Sequence, residues 1–343
     1  MVDITAHTSP VVQAYNKEHP TAKIRILGKC EFQHRGMSHK DRIATRILNA
    51  ARQEGKLTST ANTKKTILVA SSGNTGCSVA WAGSTMGHPV IVITNAKCSK
   101  EKRAHMRACG ATVWMAEELP SVFPEVLGNE TNYMRQEQLL ANAFPEKYYR
   151  VNQYSNPHNT RAHRESTGPE IFEQTDGSIT HFVTCASTGG TIMGVGTYLK
   201  QVLPDVSIVL ADPDKSLLAG FLAERDNEEE GRRLLGTIRT LISEEGKTQV
   251  EGAGKTILTG LMRDDDGRIL SPVDRAVRVT DQEAFEMCRY LARKTGILVG
   301  GSSGVNVCAA KVLAEECVRS QTSATIVTLL CDSGIKYLSK IFT

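Results

Sequence analysis

The chain has 343 residues, of which 40% are hydrophobic and 23% are charged. These values are typical of a soluble globular protein, and the length predicts about two domains. The 41 basic and 37 acidic residues nearly balance, and no block of Lys and Arg stands out, so nucleic acid is not an expected partner. No apolar run reaches the roughly 18 residues of a membrane-spanning helix.

The termini and the cysteines bear on the compartment. The first 20 residues contain neither a basic nor an apolar segment of a secretory signal. The nine cysteines form no CxxC pair, which argues against a disulfide framework and against a structural zinc site. We therefore expect a cytoplasmic protein without a metal site.

Short apolar runs alternate with helical segments in the first half of the chain. Strands are predicted over 66–70, 90–94 and 112–115, and helices over 74–86 and 99–109. Strands that are buried on both faces are continuous apolar runs, and strands that alternate with helices form parallel sheets. This half therefore predicts a parallel α/β unit.

The same alternation returns in the second half. Strands are predicted over 181–185, 208–211 and 325–330, and a helix over 191–202. Thr280 and Glu283 have the spacing of a capping box and open a further helix. The charge-dense stretch 224–233 is interpreted as a solvated loop or helix face. Two open, mostly parallel sheets flanked by helices follow, with a seam near residue 150.

Two glycine-rich turns each follow a predicted strand and open a helix: SSGNTG at 71–76 and STGGT at 187–191. Such a turn directs backbone N–H groups, the helix dipole and hydroxyls at one point, which suits a phosphate or another anion. Neither has the GK[ST] ending of a P-loop, and neither gives a good GxGxxG motif. Taken singly, each could also be a plain β–α turn.

A third segment, Gly36–Arg42 (GMSHKDR), contains Lys40 just before a predicted helix. A desolvated lysine can lose its proton and form a Schiff base with an aldehyde. Pyridoxal phosphate requires such a lysine, an anion site for its phosphate and a partner for its ring nitrogen. An ordinary surface lysine remains the alternative.

Eight motifs occur together in one order. They are KCEF at 29–32, SHKDR at 38–42, SGNTG at 72–76, QYSNP at 153–157, TGPE at 167–170, TGGT at 188–191, GGSSG at 300–304 and DSG at 332–334. In this order the chain resembles the β-family (fold type II) of pyridoxal-phosphate enzymes, specifically cysteine synthase and the catalytic core of cystathionine β-synthase. The resemblance extends over roughly residues 8 to 340.

The resemblance implies a role for each matching residue. Lys40 would bind the cofactor aldehyde and then act as general base and acid. Asn74 would hydrogen-bond the ring hydroxyl, and Ser333 would face the pyridine nitrogen. The substrate α-carboxylate would be bound by Ser71, Ser72, Asn74, Thr75 and Gln153. The phosphate would be bound by Ser187, Thr188, Gly189, Gly190 and Thr191.

The implied reaction is β-replacement on serine, O-acetylserine or O-phosphoserine, through an aminoacrylate, with a thiol, sulfide or amine as acceptor. A neutral hydroxyl at the pyridine nitrogen weakens the electron sink and suits this chemistry. Serine/threonine dehydratase-like β-elimination is one alternative. A non-catalytic, cofactor-bound partner or sensor is another, although the intact set of Lys40, Asn74 and Ser333 argues against it.

The resemblance also implies an organisation. It predicts a smaller, mobile domain over 45–150 and a larger cofactor-binding domain over 1–44 plus 151–343, with pyridoxal phosphate in the cleft between them. It implies small amino-acid substrates and a homodimer. We also expect a catalytic core without an attached regulatory or haem-binding part.

Departures from the family pattern surround Lys40. His34, Arg35, Met37 and His39 are unexpected there, and Met37 replaces a glycine. Lys255 follows an EGAG segment near the expected acceptor entrance. We hypothesise that His34, Arg35 or Lys255 helps to admit an anionic acceptor. The segment Gly300–Gly304 could serve packing alone or lie near the active site.

Overall fold

The computed structural model describes residues 1–21, 23–57 and 64–343. These residues form two compact units, one of residues 1–32 and 160–334 and the other of residues 33–159 and 335–343. We call them the six-stranded unit and the four-stranded unit after the sheet that each contains. The predicted α/β class with two mostly parallel sheets flanked by helices is confirmed. The domain bounds at 45–150 stay a prediction, because compact packing alone does not show which residues move together.

Ten strands and sixteen helices are present in the described residues. The strands are β1 Val2–Asp3, β2 Ile24–Cys30, β3 Thr66–Ala70, β4 Val90–Thr94, β5 Thr112–Met115, β6 Tyr148–Arg150, β7 His181–Thr184, β8 Ser207–Pro213, β9 Arg275–Val279 and β10 Ala324–Leu330. The helices are α1 Thr5–Thr8, α2 Pro10–Glu18, α3 Lys40–Gln53, α4 Asn74–Thr85, α5 Lys100–Ala108, α6 Leu119–Val122, α7 Pro124–Leu127, α8 Tyr133–Ala143, α9 Pro157–Ala162, α10 Gly168–Gln174, α11 Gly190–Val202, α12 Leu218–Asp226, α13 Glu228–Glu245, α14 Asp281–Thr295, α15 Gly301–Arg319 and α16 Leu338–Ile341.

The six-stranded sheet has the order β1-β2-β10-β7-β8-β9, and only β1 is antiparallel to its neighbour. All seven residues of β10 are buried, as expected of a central parallel strand. Ile326 of β10 is in register with Ile26 on one side and His181 on the other. Because β7 and β10 are parallel neighbours, the segments that follow them emerge at the same edge of this sheet.

The four-stranded sheet has the order β5-β4-β3-β6, and all of its pairs are parallel. Ile67 of β3 is in register with Val90 and with Tyr149. The carboxyl ends of β3 and β6 therefore lie side by side. This pairing places Gln153 next to the turn that begins at Ser71.

The strand bounds predicted for 66–70, 90–94 and 112–115 are confirmed to the residue. The capping box is also confirmed, since Thr280 Oγ1 accepts from the Glu283 backbone N–H and Glu283 Oε2 accepts from the Thr280 N–H. The stretch 224–233 lies on two helices, and Asn227 between them caps α13. Within the described residues, no helix is both long and apolar enough to cross a membrane.

The packing role considered for Gly300–Gly304 is visible at Gly304. A Cβ atom at this residue would collide with the carbonyl oxygen of Ala284 on α14. Gly304 therefore permits close contact between α14 and α15.

Candidate active site

Lys40 is the first residue of α3, and the loop before it is tightly turned. The Met37 N–H donates to the His34 carbonyl over 2.8 Å, and Met37 has a φ of +54°. Met37, which stands where the resemblance predicts a glycine, thus keeps a left-handed backbone although it has a side chain. Ser38 Oγ accepts from the Lys40 N–H over 3.3 Å, a local turn that ties the loop to the first residue of α3.

Asp41 ties this loop to α4. Its carboxylate is 4% exposed and accepts from the Gly36 N–H, from Ser78 Oγ and from Trp81 Nε1, at 2.5, 2.5 and 3.0 Å. A Cβ at Gly36 would run into the same carboxylate, so the close approach requires glycine. Asp41 therefore has a structural role, holding the loop before Lys40 against α4.

The turn Ser71–Gly76 connects β3 to α4. Ser71 Oγ accepts from the backbone N–H groups of Gly73 and Gly76, at 3.1 and 3.0 Å. Ser72 is half-buried in the same turn. Asn74 is the first residue of α4, so the turn leads directly into the N-terminus of this helix. A helix N-terminus is a favourable position for an anion such as a carboxylate.

Thr75 and Gln153, which were both expected to bind the substrate α-carboxylate, lie side by side. Thr75 Oγ1 donates to Gln153 Oε1 over 2.7 Å, and Gln153 Nε2 donates to the Ala70 carbonyl over 3.3 Å. Both side chains are buried. All five residues predicted to bind the α-carboxylate thus belong to the four-stranded unit, around the ends of β3 and β6.

A partly buried ion pair supports the end of β3. Glu137 Oε1 accepts from the Ala70 N–H over 3.1 Å, and Glu137 Oε2 pairs with Arg150 Nε at 2.9 Å. Burial raises the pKa of Glu137, and the nearby Arg150 charge opposes that rise. Ala70, the strand residue directly before Ser71, is therefore held by the Glu137 carboxylate, which is itself held by Arg150.

Lys336 was not identified as a site residue from the sequence. Its side chain is 1% exposed, and Nζ donates to the Gly36 carbonyl over 2.5 Å and to Asn74 Oδ1 over 2.9 Å. A lysine near a chain end ordinarily indicates a solvated charge, so the sequence carries no signal for this contact.

The STGGT turn lies in the six-stranded unit, between β7 and α11. Gly189 has a φ of +89°, and a Cβ there would lie 2.6 Å from Met262 Cγ. Thr188 Oγ1 accepts from the Gly190 N–H over 3.4 Å, and the Thr188 carbonyl accepts from Thr259 Oγ1 over 2.6 Å. The turn is thus a compact cradle at the N-terminus of a 13-residue helix.

His163 is a second residue without a sequence signal. It is fully buried; Nε2 lies 3.2 Å from Thr191 Oγ1, and Nδ1 lies 2.9 Å from Thr167 Oγ1. In a neutral imidazole one ring nitrogen donates and the other accepts. If Nε2 donates, the Thr191 hydroxyl is left to donate its own hydrogen, as a phosphate oxygen would require.

Ser333 follows β10 in the same unit. It is buried and forms an isolated bridge with Val299, while the neighbouring Asp332 carbonyl accepts from the Gly300 N–H over 3.2 Å. Because β10 and β7 are adjacent, Ser333 and the STGGT turn extend from the same sheet edge.

The three residues of the acceptor hypothesis have different surroundings. The guanidinium of Arg35, an exposed residue, lies 5.8 Å from the centroid of the Trp81 ring, a cation–π contact. His34 is half-buried in the loop before Lys40. Burial lowers the pKa of Lys255, whose backbone N–H donates to Ser216 Oγ over 3.0 Å. Among the described residues, no three His, Cys, Asp or Glu side chains are grouped to hold a metal.

Comparison with known proteins gives consistent matches. The family model described as "Pyridoxal-phosphate dependent enzyme" matches residues 5–332. Cysteine synthase 2 of Schizosaccharomyces pombe is 34% identical over 323 residues, which cover 92% of this chain and 77% of that protein. O-acetylserine sulfhydrylase isoform 3 of Entamoeba histolytica superposes with a TM-score of 0.77 at 27% identity, over 99% of this chain and 87% of the other. O-ureido-L-serine synthase superposes with a TM-score of 0.72 at 26% identity, over 92% and 87%.

Proposed function

This chain belongs to the pyridoxal-phosphate-dependent enzyme family, and on that premise we propose that it catalyses β-replacement on an O-activated serine. One observation supports this most directly. The loop that leads into Lys40 and the first turns of α4 are fastened together through Asp41. The loop before the lysine that we propose as the nucleophile is thereby fastened to the helix that begins at the proposed carboxylate site.

The residues fit pyridoxal phosphate. Gly189 gives the STGGT turn its left-handed backbone and lets it pack closely against Met262, and the α11 terminus supplies N–H donors and a favourable dipole for an anion. We assign the phosphate to Ser187–Thr191, the ring hydroxyl to Asn74, the pyridine nitrogen to Ser333 and the aldehyde to Lys40. When bound, the cofactor withdraws electrons from the substrate Cα, which makes the α-proton acidic and the β-substituent a leaving group.

The protein's own groups have separate tasks. Lys40 Nζ would hold the cofactor aldehyde, and it would act as the general base that takes the substrate α-proton and later returns a proton. The turn Ser71–Thr75 and Gln153 hold the substrate carboxylate with backbone and side-chain donors. A neutral Ser333 hydroxyl leaves the ring nitrogen largely unprotonated, which favours elimination and addition over transamination.

We assign the donor class to O-activated serines such as O-acetylserine, the substrate in the name of the Entamoeba enzyme. For the acceptor we favour sulfide or a small anionic thiol. The positive or ionisable groups of His34, Arg35 and Lys255 support an anion. The variants Arg35→Gln and Lys255→Gln test this: a raised KM for an anionic acceptor at unchanged donor KM supports it, and an unchanged acceptor preference contradicts it.

The reaction is tested by supplying the holoprotein with serine, O-acetylserine or O-phosphoserine, together with sulfide, homocysteine or an amine. We expect a β-substituted alanine by mass spectrometry, at a rate that falls by several orders of magnitude in Lys40→Ala. Lys17→Ala, which removes an exposed lysine of α2, is the matched control and keeps full activity. Pyruvate and ammonia as the only products with every acceptor would instead establish the dehydratase-like alternative.

From the family resemblance we also propose a homodimer that works in the cytoplasm. Light scattering on the purified holoprotein should give twice the mass of one chain. A monomeric mass at full activity would contradict the dimer.

A further inference from the structure

Lys336 joins the Lys40 loop to Asn74 through a single atom. Its Nζ donates to the Gly36 carbonyl and to Asn74 Oδ1, at 2.5 and 2.9 Å. Its backbone is fixed as well, since the Lys336 carbonyl accepts from Ser99 Oγ over 2.9 Å. Ser99 also caps α5 and is 2% exposed, so Lys336 is anchored at both ends.

A fully buried ammonium is expensive to remove from water and requires well-placed partners. Here Gly36 lies between opposite charges: its backbone N–H donates to the Asp41 carboxylate, and its carbonyl accepts from Lys336. An apolar side chain of similar length could fill the same space without that desolvation. The retained charge therefore points to a task beyond filling the core.

The chemistry of the ammonium decides how Asn74 is oriented. A lysine ammonium has three donors and no acceptor, so the Asn74 atom that faces it must be the amide oxygen. The amide NH₂ group is then directed away from Lys336. An asparagine turned the other way would present its oxygen, which repels an anionic ligand oxygen.

We infer that Lys336 is a positioning residue, which orients the Asn74 amide so that its NH₂ group donates to the ring oxygen of the cofactor. The inference rests on the proposed function, because it presumes that pyridoxal phosphate binds at Lys40 and Asn74. The effect of Lys336 on the cofactor passes through Asn74.

The experiment measures two properties of the holoprotein: the dissociation constant for pyridoxal phosphate and the ratio of the absorbance bands of the bound cofactor. The variants are Lys336→Met, Asn74→Ala, their double mutant, and Lys336→Arg. Lys340→Met is the matched control, because Lys340 is an exposed residue of the same terminal segment, and its Nζ donates to the Lys97 carbonyl at the surface.

We expect Lys336→Met to weaken cofactor binding roughly tenfold or more and to change the band ratio in the same direction as Asn74→Ala. The double mutant should change the band ratio no further than Asn74→Ala alone, since Lys336 acts on the ring oxygen through Asn74. Lys336→Arg, which keeps a donor, should restore most of the band ratio. Lys340→Met should behave as the unaltered protein.

Two results would overturn the inference. One is a Lys336→Met protein with the band ratio and affinity of the unaltered protein; the other is a double mutant in which the two changes in band ratio simply add. If Lys336→Met does not fold, Asn74→Asp decides: it keeps an oxygen towards Lys336 but replaces the NH₂ donor with a second oxygen. It should lose more affinity than Asn74→Ala, and equal or better binding would refute the assigned orientation.

Failure of the proposed function has a different signature. If pyridoxal phosphate does not attach to Lys40 in the unaltered protein, the function itself is wrong. If it attaches there, and the Lys336 variants keep the band ratio and affinity of the unaltered protein, the proposed function stands and the positioning role of Lys336 is wrong.

Discussion

Met37 has a left-handed backbone, with a φ of +54°, three residues before Lys40. A residue with a Cβ is strained in this region by roughly 1–2 kcal/mol, whereas glycine is not. The strain is held by the Met37 N–H bond to His34 and by the neighbouring attachment of Gly36 to Asp41. Local strain of this kind is common where an active-site loop is fixed by its surroundings.

We predict that Met37→Gly has a higher free energy of unfolding than Met37→Ala, by about 1 kcal/mol. Both variants lose the half-buried side chain, but only glycine relieves the backbone. Urea unfolding of the two variants measures the difference. A Met37→Gly protein less stable than Met37→Ala would show that the turn is not strained.

Residue identities alone singled out candidate site residues at some positions and not at others. Lys40, Asn74 and Gly189 could be selected because they lie in motifs whose order is specific. Lys336 and His163 could not, because a single lysine or histidine carries no mark of burial in the sequence. Only the fold shows that their side chains bond to Asn74 and Thr191.

At the scale of elements, the glycine-rich turns show why backbone geometry limits substitution. Gly189 caps α11 with a φ of +89°, and the space where its Cβ would lie is filled by Met262. At Gly189, any larger residue would therefore meet both a strained left-handed backbone and a clash with Met262. Gly296 at the end of α14 has a similar φ of +73°, but a Cβ there would meet nothing within 4 Å.

We predict that Gly189→Ala is more destabilising than Gly296→Ala and also weakens pyridoxal phosphate binding. Gly296→Ala is the control: it should lose roughly 1 kcal/mol of stability from backbone strain alone and keep its cofactor affinity. Thermal unfolding and a cofactor titration of both variants separate the effects. Equal affinity in the two proteins would argue against a phosphate at the STGGT turn.

The elements differed in how well the sequence defined them. The strands β3, β4 and β5 are continuous apolar runs between turn signals, so their bounds followed directly. The helix bounds were less sharp, because a cap such as Ser99 or Asn227 lies outside the helix it caps. The short strand β6 carries polar and aromatic residues, YYR, and gave no apolar pattern to detect.

At the scale of the whole molecule, the same design occurs twice. Each unit has a parallel or mostly parallel sheet, and each has a glycine-rich turn that leads from a buried strand into a helix N-terminus. The four-stranded unit holds Lys40 and the residues proposed to bind the carboxylate, and the six-stranded unit holds the STGGT turn and Ser333. The alternation of strands and helices predicted both sheets, whereas the choice of donor and acceptor depends on side chains outside these motifs.

The central claim is that Lys40 is the residue that carries the cofactor. The direct measurement is to load the protein with pyridoxal phosphate, reduce it with borohydride, digest it and locate the label by mass spectrometry. We predict a phosphopyridoxyl group on the peptide that contains Lys40, and on no other peptide at one equivalent. A label on Lys336, on any other lysine, or on none would contradict the claim.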